Sequence, residues 1–315
     1  MYLNLFQGTT AEYFDYWLEN YCKPRLARNT YNGYSVNVRK HILPKIGEIK
    51  LTELEPRHIQ QMYSELAKEG LTGTSVVYVH ATLRKALNSA IKQGMLQYNV
   101  TNYIEPPKKS DFKGAVLTAE QVHTLLFHCR YTEVYLPVLL AISLGLRRGE
   151  VLGLKWSDID FDNHTLEIQR TGTYFKGEFY LSSPKTKTSN RTLLVNDMCY
   201  SALLEEKKRQ EEQATATPKY NPNDLVIIRF NGELLSSTVL NKKFKKALKR
   251  AKLPDIRFHD LRHTNATLLL KKQVPAKIVS NMLGHSSIGI TLDTYSHVMV
   301  EMQDLAKNAM DDILK

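Results

Sequence analysis

Apolar side chains recur at helical spacing through the first hundred residues. In TTAEYFDYWLENYC, Tyr13, Phe14, Trp17, Leu18 and Tyr21 fall at i, i+1, i+4, i+5 and i+8, one stripe behind a threonine cap. NTYNGYSVNVRKHI repeats the pattern behind Thr30, and HILPKIGEIKL, punctuated by Pro44 and Gly47, reads as a connector. EPRHIQQMYSELAKEG has proline at a helix start and Gly70 at its end. TGTSVVYVHATLRKALNSAIKQG runs from a Thr/Ser cap to Gly94, with Val76, Val79, Leu83, Leu87 and Ala90 on one side. Four helices over residues 9–104 predict a small all-α domain, preceded by a tail at 1–8, MYLNLFQG, with no evident structural role.

Periodicity stops at 105–114, EPPKKSDFKG, which reads as an extended basic linker. A second domain is expected over 115–315. LTAEQVHTLLFHC carries a capping-box pattern, Thr118 with Gln121. EVYLPVLLAISLGL is apolar all round and predicts a central helix. The period then changes: strand-like runs around Leu166–Ile168, Tyr174–Leu181 and Thr192–Val195 are split by Gly172, Gly177 and the KTKTSN turn, predicting one small antiparallel sheet. Helices resume from Asp197, and the last, VEMQDLAKNAMDDILK, sets Met302, Leu305, Ala306, Ala309, Met310 and Ile313 at helical spacing. The fold class expected is mainly α with a small antiparallel sheet: a four-helix domain followed by an α+β domain.

Charge adds a partner. The net charge is +11, with 15 Lys/Arg against 10 Asp/Glu in residues 1–113 and 28 against 22 in the remainder, so the excess lies on both domains and not on a tail. That balance points to a polyanion, nucleic acid first. The three cysteines, Cys22, Cys129 and Cys199, are far apart and read as buried thiols of a reducing compartment. No apolar run approaches the roughly 18 residues that span a membrane, and the N-terminus carries no secretion signal. A cytoplasmic protein is expected.

Three stretches offer chemistry. In GLRRGEVLGLKWSDID (145–160), Arg147 and Arg148 follow an apolar helix and Glu150 lies three residues beyond Arg147. An arginine there must be paired or face a bound anion; a plain Arg147–Glu150 bridge explains it equally well. In FHDLRHT (258–264), His259 and Arg262 share a helix face and suit phosphate oxygens. His263 stands four residues after His259, but HExxH is absent and no third ligand is evident, so no metal is expected. In GHSSIGITLDTYSHV (284–298), Tyr295 follows a glycine turn and His285, with few apolar neighbours in sequence to pack it. Between these lies SSPKTKTSNRT (182–192), a hairpin tip carrying Lys185, Lys187 and Arg191. The set has one coherent use. Arginines and histidine grip a phosphodiester, tyrosine attacks phosphorus in line, and lysine protonates the departing oxygen. Fixed cations supply the charge, so no cofactor is expected.

In these motifs and their order the sequence resembles the tyrosine recombinases of the phage-integrase family, closest to integrases of Gram-positive phages and conjugative transposons. GLRRGEVLGLKWSDID resembles the first arginine box, HDLRHT the second, LGHSSIGITLDTYSHV the histidine–tyrosine box and PKTKTSNRT the lysine hairpin. The resemblance implies Arg147, Lys185, His259, Arg262, His285 and Tyr295 as the catalytic set, Tyr295 being the nucleophile, with Lys187 an alternative lysine. Glu150 would steady Arg147, and His297 would cap or pack. The resemblance further implies a core-binding domain of the SAM-like type at 9–104 and a catalytic domain at 115–315, gripping one duplex. Helix 74–93 would enter a major groove, with His80, Arg84, Lys85 and Asn88 as candidate DNA contacts beside Lys187 and Arg191. In NKKFKKALKRA, Phe244, Ala247, Leu248 and Ala251 would face inward and lysines outward, on phosphates or in solvent; GTYFKGEFYL would be a DNA-contacting arm or a long hairpin.

The implied partners are double-stranded DNA at specific recombination sites, three further copies in a tetramer that exchanges C-terminal helices, and excisionase or DNA-bending accessory proteins. The setting would be the bacterial cytoplasm, on the nucleoid when DNA is bound. Many such integrases carry an additional N-terminal arm-binding domain, whereas here the core-binding domain begins almost at once. Alternatives are a Xer-like resolvase or inversion recombinase, a type IB topoisomerase-like enzyme, and a DNA-binding protein without catalysis.

Overall fold

The computed structural model describes residues 5–108, 115–175, 177–183, 190–217, 219–295, 307 and 310–314. The chain divides into two compact units, Met1–Phe112 and Lys113–Lys315. Most of the basic linker lies outside the described residues.

In the first unit, α1 (Thr10–Tyr16) begins at Thr9, whose Oγ1 accepts from the Glu12 amide at 3.2 Å while the Glu12 carboxylate accepts from the Thr9 amide at 2.8 Å. Two backbone donors at the helix start are thereby satisfied. The helix runs on through wider π turns at Trp17–Cys22. α2 (Arg28–Val36) likewise continues through π turns at Asn37–Ile42 into α3 (Leu43–Ile46). The HILPKIGEIKL connector therefore starts as helix. Pro44 sits in the first turn of α3, where its missing N–H is tolerated. α4 (Pro56–Lys68) and α5 (Gly73–Lys92) complete the unit. Tyr13, Phe14, Trp17 and Leu18 are buried among Val79, Leu83 and Leu87, and Tyr13 Oη donates to the Ala86 carbonyl at 2.7 Å. The tail has a role after all. The Phe6 amide donates to the Met95 carbonyl at 3.1 Å, and its ring meets Tyr13 edge-on.

In the second unit, α6 (Ala119–Cys129) starts at the Thr118–Gln121 capping box. α7 (Tyr135–Leu144) is buried almost all round and is central, as its pattern requires. α8 (Arg148–Gly153) follows. The strands are β1 (Ile159–Asp160), β2 (Thr165–Ile168), β3 (Thr171–Phe175), β4 (Glu178–Ser182) and β5 (Arg191–Leu194). They form two antiparallel sheets and not one: β1-β2-β5, with Leu166 opposite Leu193, and the separate hairpin β3-β4. Gly172 lies inside β3, where a break was expected. A Cβ there would meet the Leu152 backbone at 2.8 Å, so its bareness lets β3 lie directly on α8.

Helices α9 (Asp197–Ala216), α10 (Ser237–Arg250), α11 (Asp260–Lys271), α12 (Ala276–Leu283) and α13 (Ile288–Thr294) complete the described order. In α10, Phe244, Ala247 and Leu248 are buried as expected. The expected C-terminal helix lies largely outside the described residues; within it Met310, Ile313 and Leu314 are exposed.

Candidate active site

The carbonyls left unpaired at the ends of α7 and α12 build the first part of the site. α7 stops at Gly145, in the left-handed region with φ 64°, where a Cβ would lie 2.5 Å from Leu283 Cδ2. α12 stops at Leu283. Arg262, on α11 and 2% exposed, donates to both ends: Nη1 to the Gly145 carbonyl at 2.8 Å and Nη2 to the Leu283 carbonyl at 2.6 Å. A cation at two helix C-termini meets both the orphan acceptors and the negative ends of the dipoles. Burial, and then the nearby charge of Arg147, push its pKa down to about 9, so it stays charged at neutral pH.

Arg147 stands at the start of α8. Its Nη1 donates to Glu150 Oε1 at 2.8 Å and its Nη2 to the Gly284 carbonyl at 3.3 Å. The plain Arg147–Glu150 bridge is present, yet about a third of the Arg147 side chain stays open to solvent. Glu150 is shared: Arg191 Nη2 donates to its Oε2 at 2.9 Å and Arg191 Nη1 to its Oε1 at 3.2 Å. Burial opposes ionisation of Glu150, but the hydrogen bond and charge of Arg191, then those of Arg147, hold its pKa below the usual range.

Tyr295 closes α13. It is 2% exposed, packed with Ala266, Leu270, Val279 and Leu283, which overturns the expectation of sparse apolar surroundings. Its packing partners come from α11 and α12, not from its own stretch. Burial drives the phenol up to about 12, against the pull of Arg262. Its hydroxyl lies 2.9 Å from Nδ1 of His263. His259, just before α11, packs its ring perpendicular to that of His263 with centroids 5.3 Å apart. His285, in the turn after α12, places Nδ1 2.7 Å from Thr291 Oγ1.

The imidazoles of His259 and His285 are both driven down to about 4. The shielding of the pocket is the first cause; next come His263 and Arg262 for His259, and Arg262 and Arg147 for His285. His259 is itself exposed to solvent. Arg147 and Arg262 reach the adjacent Gly284 and Leu283 carbonyls just before His285, and His263 lies between Tyr295 and His259, so Arg147, His259, Arg262, His285 and Tyr295 are brought together. A cleft of about 530 Å³ opens beside them, lined by Arg147, Arg148, Lys245, Arg257 and His259 among others. A larger hollow of about 840 Å³, around Tyr131, Glu205 and Arg209, holds none of the site residues.

Other candidates fall elsewhere. Lys185 and Lys187, and likewise His297, lie outside the described residues. Arg191 is not a groove-facing contact: its side chain is 7% exposed, locked on Glu150 and on the Met282 carbonyl at 2.6 Å. It shares a strand face with buried Leu193, a period-2 signal legible in RTLL. His80 lines the same hollow as Arg84, Lys85 and Asn88, but at its floor. It is buried, with Nδ1 2.5 Å from Tyr63 Oη. Arg84, Lys85 and Asn88 stand on the exposed face of α5, around this hollow of about 380 Å³, with Lys85 over the Tyr34 ring and Asn88 accepting from Asn99. His263, weighed in the sequence only as a metal ligand, is the imidazole that meets Tyr295. Among the described residues no three His, Cys, Asp or Glu gather as a metal-binding group.

Comparison with known proteins follows the same division. The family model described as Phage integrase family matches residues 115–302, and the Phage integrase, N-terminal SAM-like domain matches residues 9–67. A protein described as Tyrosine recombinase XerC-like, from Caldanaerobacter subterraneus subsp. tengcongensis, is 29% identical over 97% of this chain and 83% of its own. The ICEBs1 integrase of Bacillus subtilis is 27% identical over 91% of this chain and 78% of its own. Among solved structures, the Tn1549 transposon integrase in complex with transposon right end DNA superposes with a TM-score of 0.80 at 20% identity, covering 95% of this chain and 99% of that one.

Proposed function

The chain belongs to the phage integrase family, and we propose that Arg147, Lys185, His259, Arg262, His285 and Tyr295 are the groups with which it works. It is a tyrosine-type site-specific DNA recombinase, an integrase that cuts and rejoins DNA through a 3′-phosphotyrosine and so inserts or excises a mobile element. The observation that carries the residue assignment is the meeting of two guanidinium groups, the imidazoles of His259 and His285 and one buried phenol beside an open cleft.

The division of labour follows from chemistry. Arg147 and Arg262 neutralise charge building on the non-bridging oxygens, and His259 and His285 donate hydrogen bonds to them. An arriving phosphate raises their pKa and favours the imidazolium, in which both ring nitrogens donate. Tyr295 attacks phosphorus, and Lys185 protonates the departing 5′ oxygen. The phosphotyrosine conserves the energy of the broken bond, so a second 5′-hydroxyl can reseal it.

Exchange between two duplexes needs one tyrosine for each of four strands, which favours a tetramer on synapsed DNA. The exposed Met310, Ile313 and Leu314 suit a C-terminal helix seated on a neighbouring copy. Arg84, Lys85 and Asn88 are the groove contacts we retain. Excisionase or DNA-bending proteins would set direction. No helix among the described residues is long and apolar enough to cross a membrane, consistent with action on cytoplasmic DNA.

The test uses nicked duplexes tiling the DNA on either side of the gene. The wild-type protein should form a covalent adduct on one of them, and Tyr295→Phe should form none. Tight, specific binding without any adduct would sink the enzymatic reading. Adduct formation should also persist in EDTA; its loss there would call for a metal.

A further inference from the structure

Buried among Ala266, Leu270, Val279 and Leu283, the Tyr295 hydroxyl is shielded from bulk water, yet it must shed a proton to attack. Arginines cannot take that proton at neutral pH. The Nδ1 of His285 is engaged by Thr291. Among the described residues, the side chain hydrogen-bonded to Tyr295 Oη is His263, at 2.9 Å. This distance lies within the range required of a general base. His263 has no place in the catalytic set assigned above.

Resting on that assignment, we propose that His263 is the base that receives the phenolic proton of Tyr295 as attack begins. In the cleavage step the Oη–H bond breaks and its proton passes to Nδ1. The Oη–P bond forms, the bond from phosphorus to the 5′ oxygen breaks, and that oxygen takes a proton from Lys185. Rejoining runs in reverse, with imidazolium His263 returning its proton to the leaving phenol.

The surroundings suit both states of the ring. The pocket's shielding, opposed by the Asp260 carboxylate and reinforced by Arg262 and Arg257, keeps the free imidazole neutral and able to accept. Asp260 lies three residues back on α11, and its negative charge favours the imidazolium once formed. It is itself held by Arg257, at 2.7 Å from both its amide and its guanidinium. Among the described residues, His259 and His285 also interact with the charge on His263.

The experiment measures single-turnover cleavage with His263→Asn, which keeps a polar atom near the Nδ1 position but lacks a base. Beside it run wild type, Tyr295→Phe and a duplex whose scissile 5′ oxygen is replaced by sulfur, a leaving group that needs no protonation. We expect His263→Asn to bind duplex like wild type, to cleave at least ~100-fold more slowly, to lose the pH-dependent rise of the wild-type rate, and to gain nothing from sulfur. Cleavage by His263→Asn at the wild-type rate, or its rescue by sulfur, overturns the proposal. If His263→Asn binds poorly, His263→Ala with added imidazole carries the test. Return of cleavage in proportion to free imidazole supports the base, and no return overturns it. Should wild type itself form no adduct, the nucleophile assignment fails instead.

Discussion

The two units bury different things. In the first, the described interior is apolar and aromatic, and its buried polar groups are uncharged: Thr10, His80, Thr82, Ser89, Asn99 and Thr101. In the second, an apolar core of similar kind carries Glu150, Asp158, Asp260 and Arg262. Buried charge destabilises a fold unless paired, and here each is paired or seated on helix ends. The first unit therefore holds by packing, whereas the second also sustains a network of paired charges. Such an exception to apolar burial is the mark of a site.

Breaking the network should have the largest effect. Glu150→Ala leaves Arg147 and Arg191 facing each other without their shared anion, and we expect a loss of about 3–5 kcal/mol in the second unit, read by denaturant unfolding. Arg191→Met made together with Glu150→Ala should recover part of it, since the pair would then be replaced and not broken. In the first unit the matching test is Leu83→Ala. A fully buried leucine there should cost about 2–5 kcal/mol, with no change in the exchange protection of amides in α11. Equal loss of protection in both units would contradict the contrast.

Acid should sharpen the contrast more gently. His259 and His285 titrate near 6.5 when unfolded and near 4 when folded. Between those values the unfolded chain binds protons that the folded chain does not, so stability falls as pH falls through that window. Below it, protonation of Glu150 and Asp260, both held low when folded, removes more. His80, also depressed by burial, gives the first unit a loss of the same sign. A bound duplex should lessen the loss at His259 and His285, because phosphate raises their folded pKa. Thermal melts at stepped pH, with and without duplex, check this.

Much of this was legible in the sequence. Period, caps and glycine stops located the helices, and motif order located Arg147, His259, Arg262, His285 and Tyr295. What escaped was tertiary. Tyr295 looked poorly packed because its neighbours lie up to 29 residues away, and the His263–Tyr295 bond joins residues 32 apart in the chain. The burial of two candidate contacts was also written in local spacing. His80 falls four residues after Val76 and three before Leu83, the spacing of a core position. Arg191 alternates with Leu193 on the inner face of its strand. Pro44 hid a continuing helix because π turns around it are not written in any hydrophobic period.

The buried phenol of Tyr295, held beside Arg262 and His263, should become the covalent link to DNA. The most direct measurement is mass spectrometry of the protease-digested covalent adduct, trimmed by nuclease to a short nucleotide remnant. The remnant's mass is expected on the peptide containing Tyr295, fragmenting to a phosphate on that tyrosine. A remnant on any other residue, with Tyr295 unmodified, would contradict it.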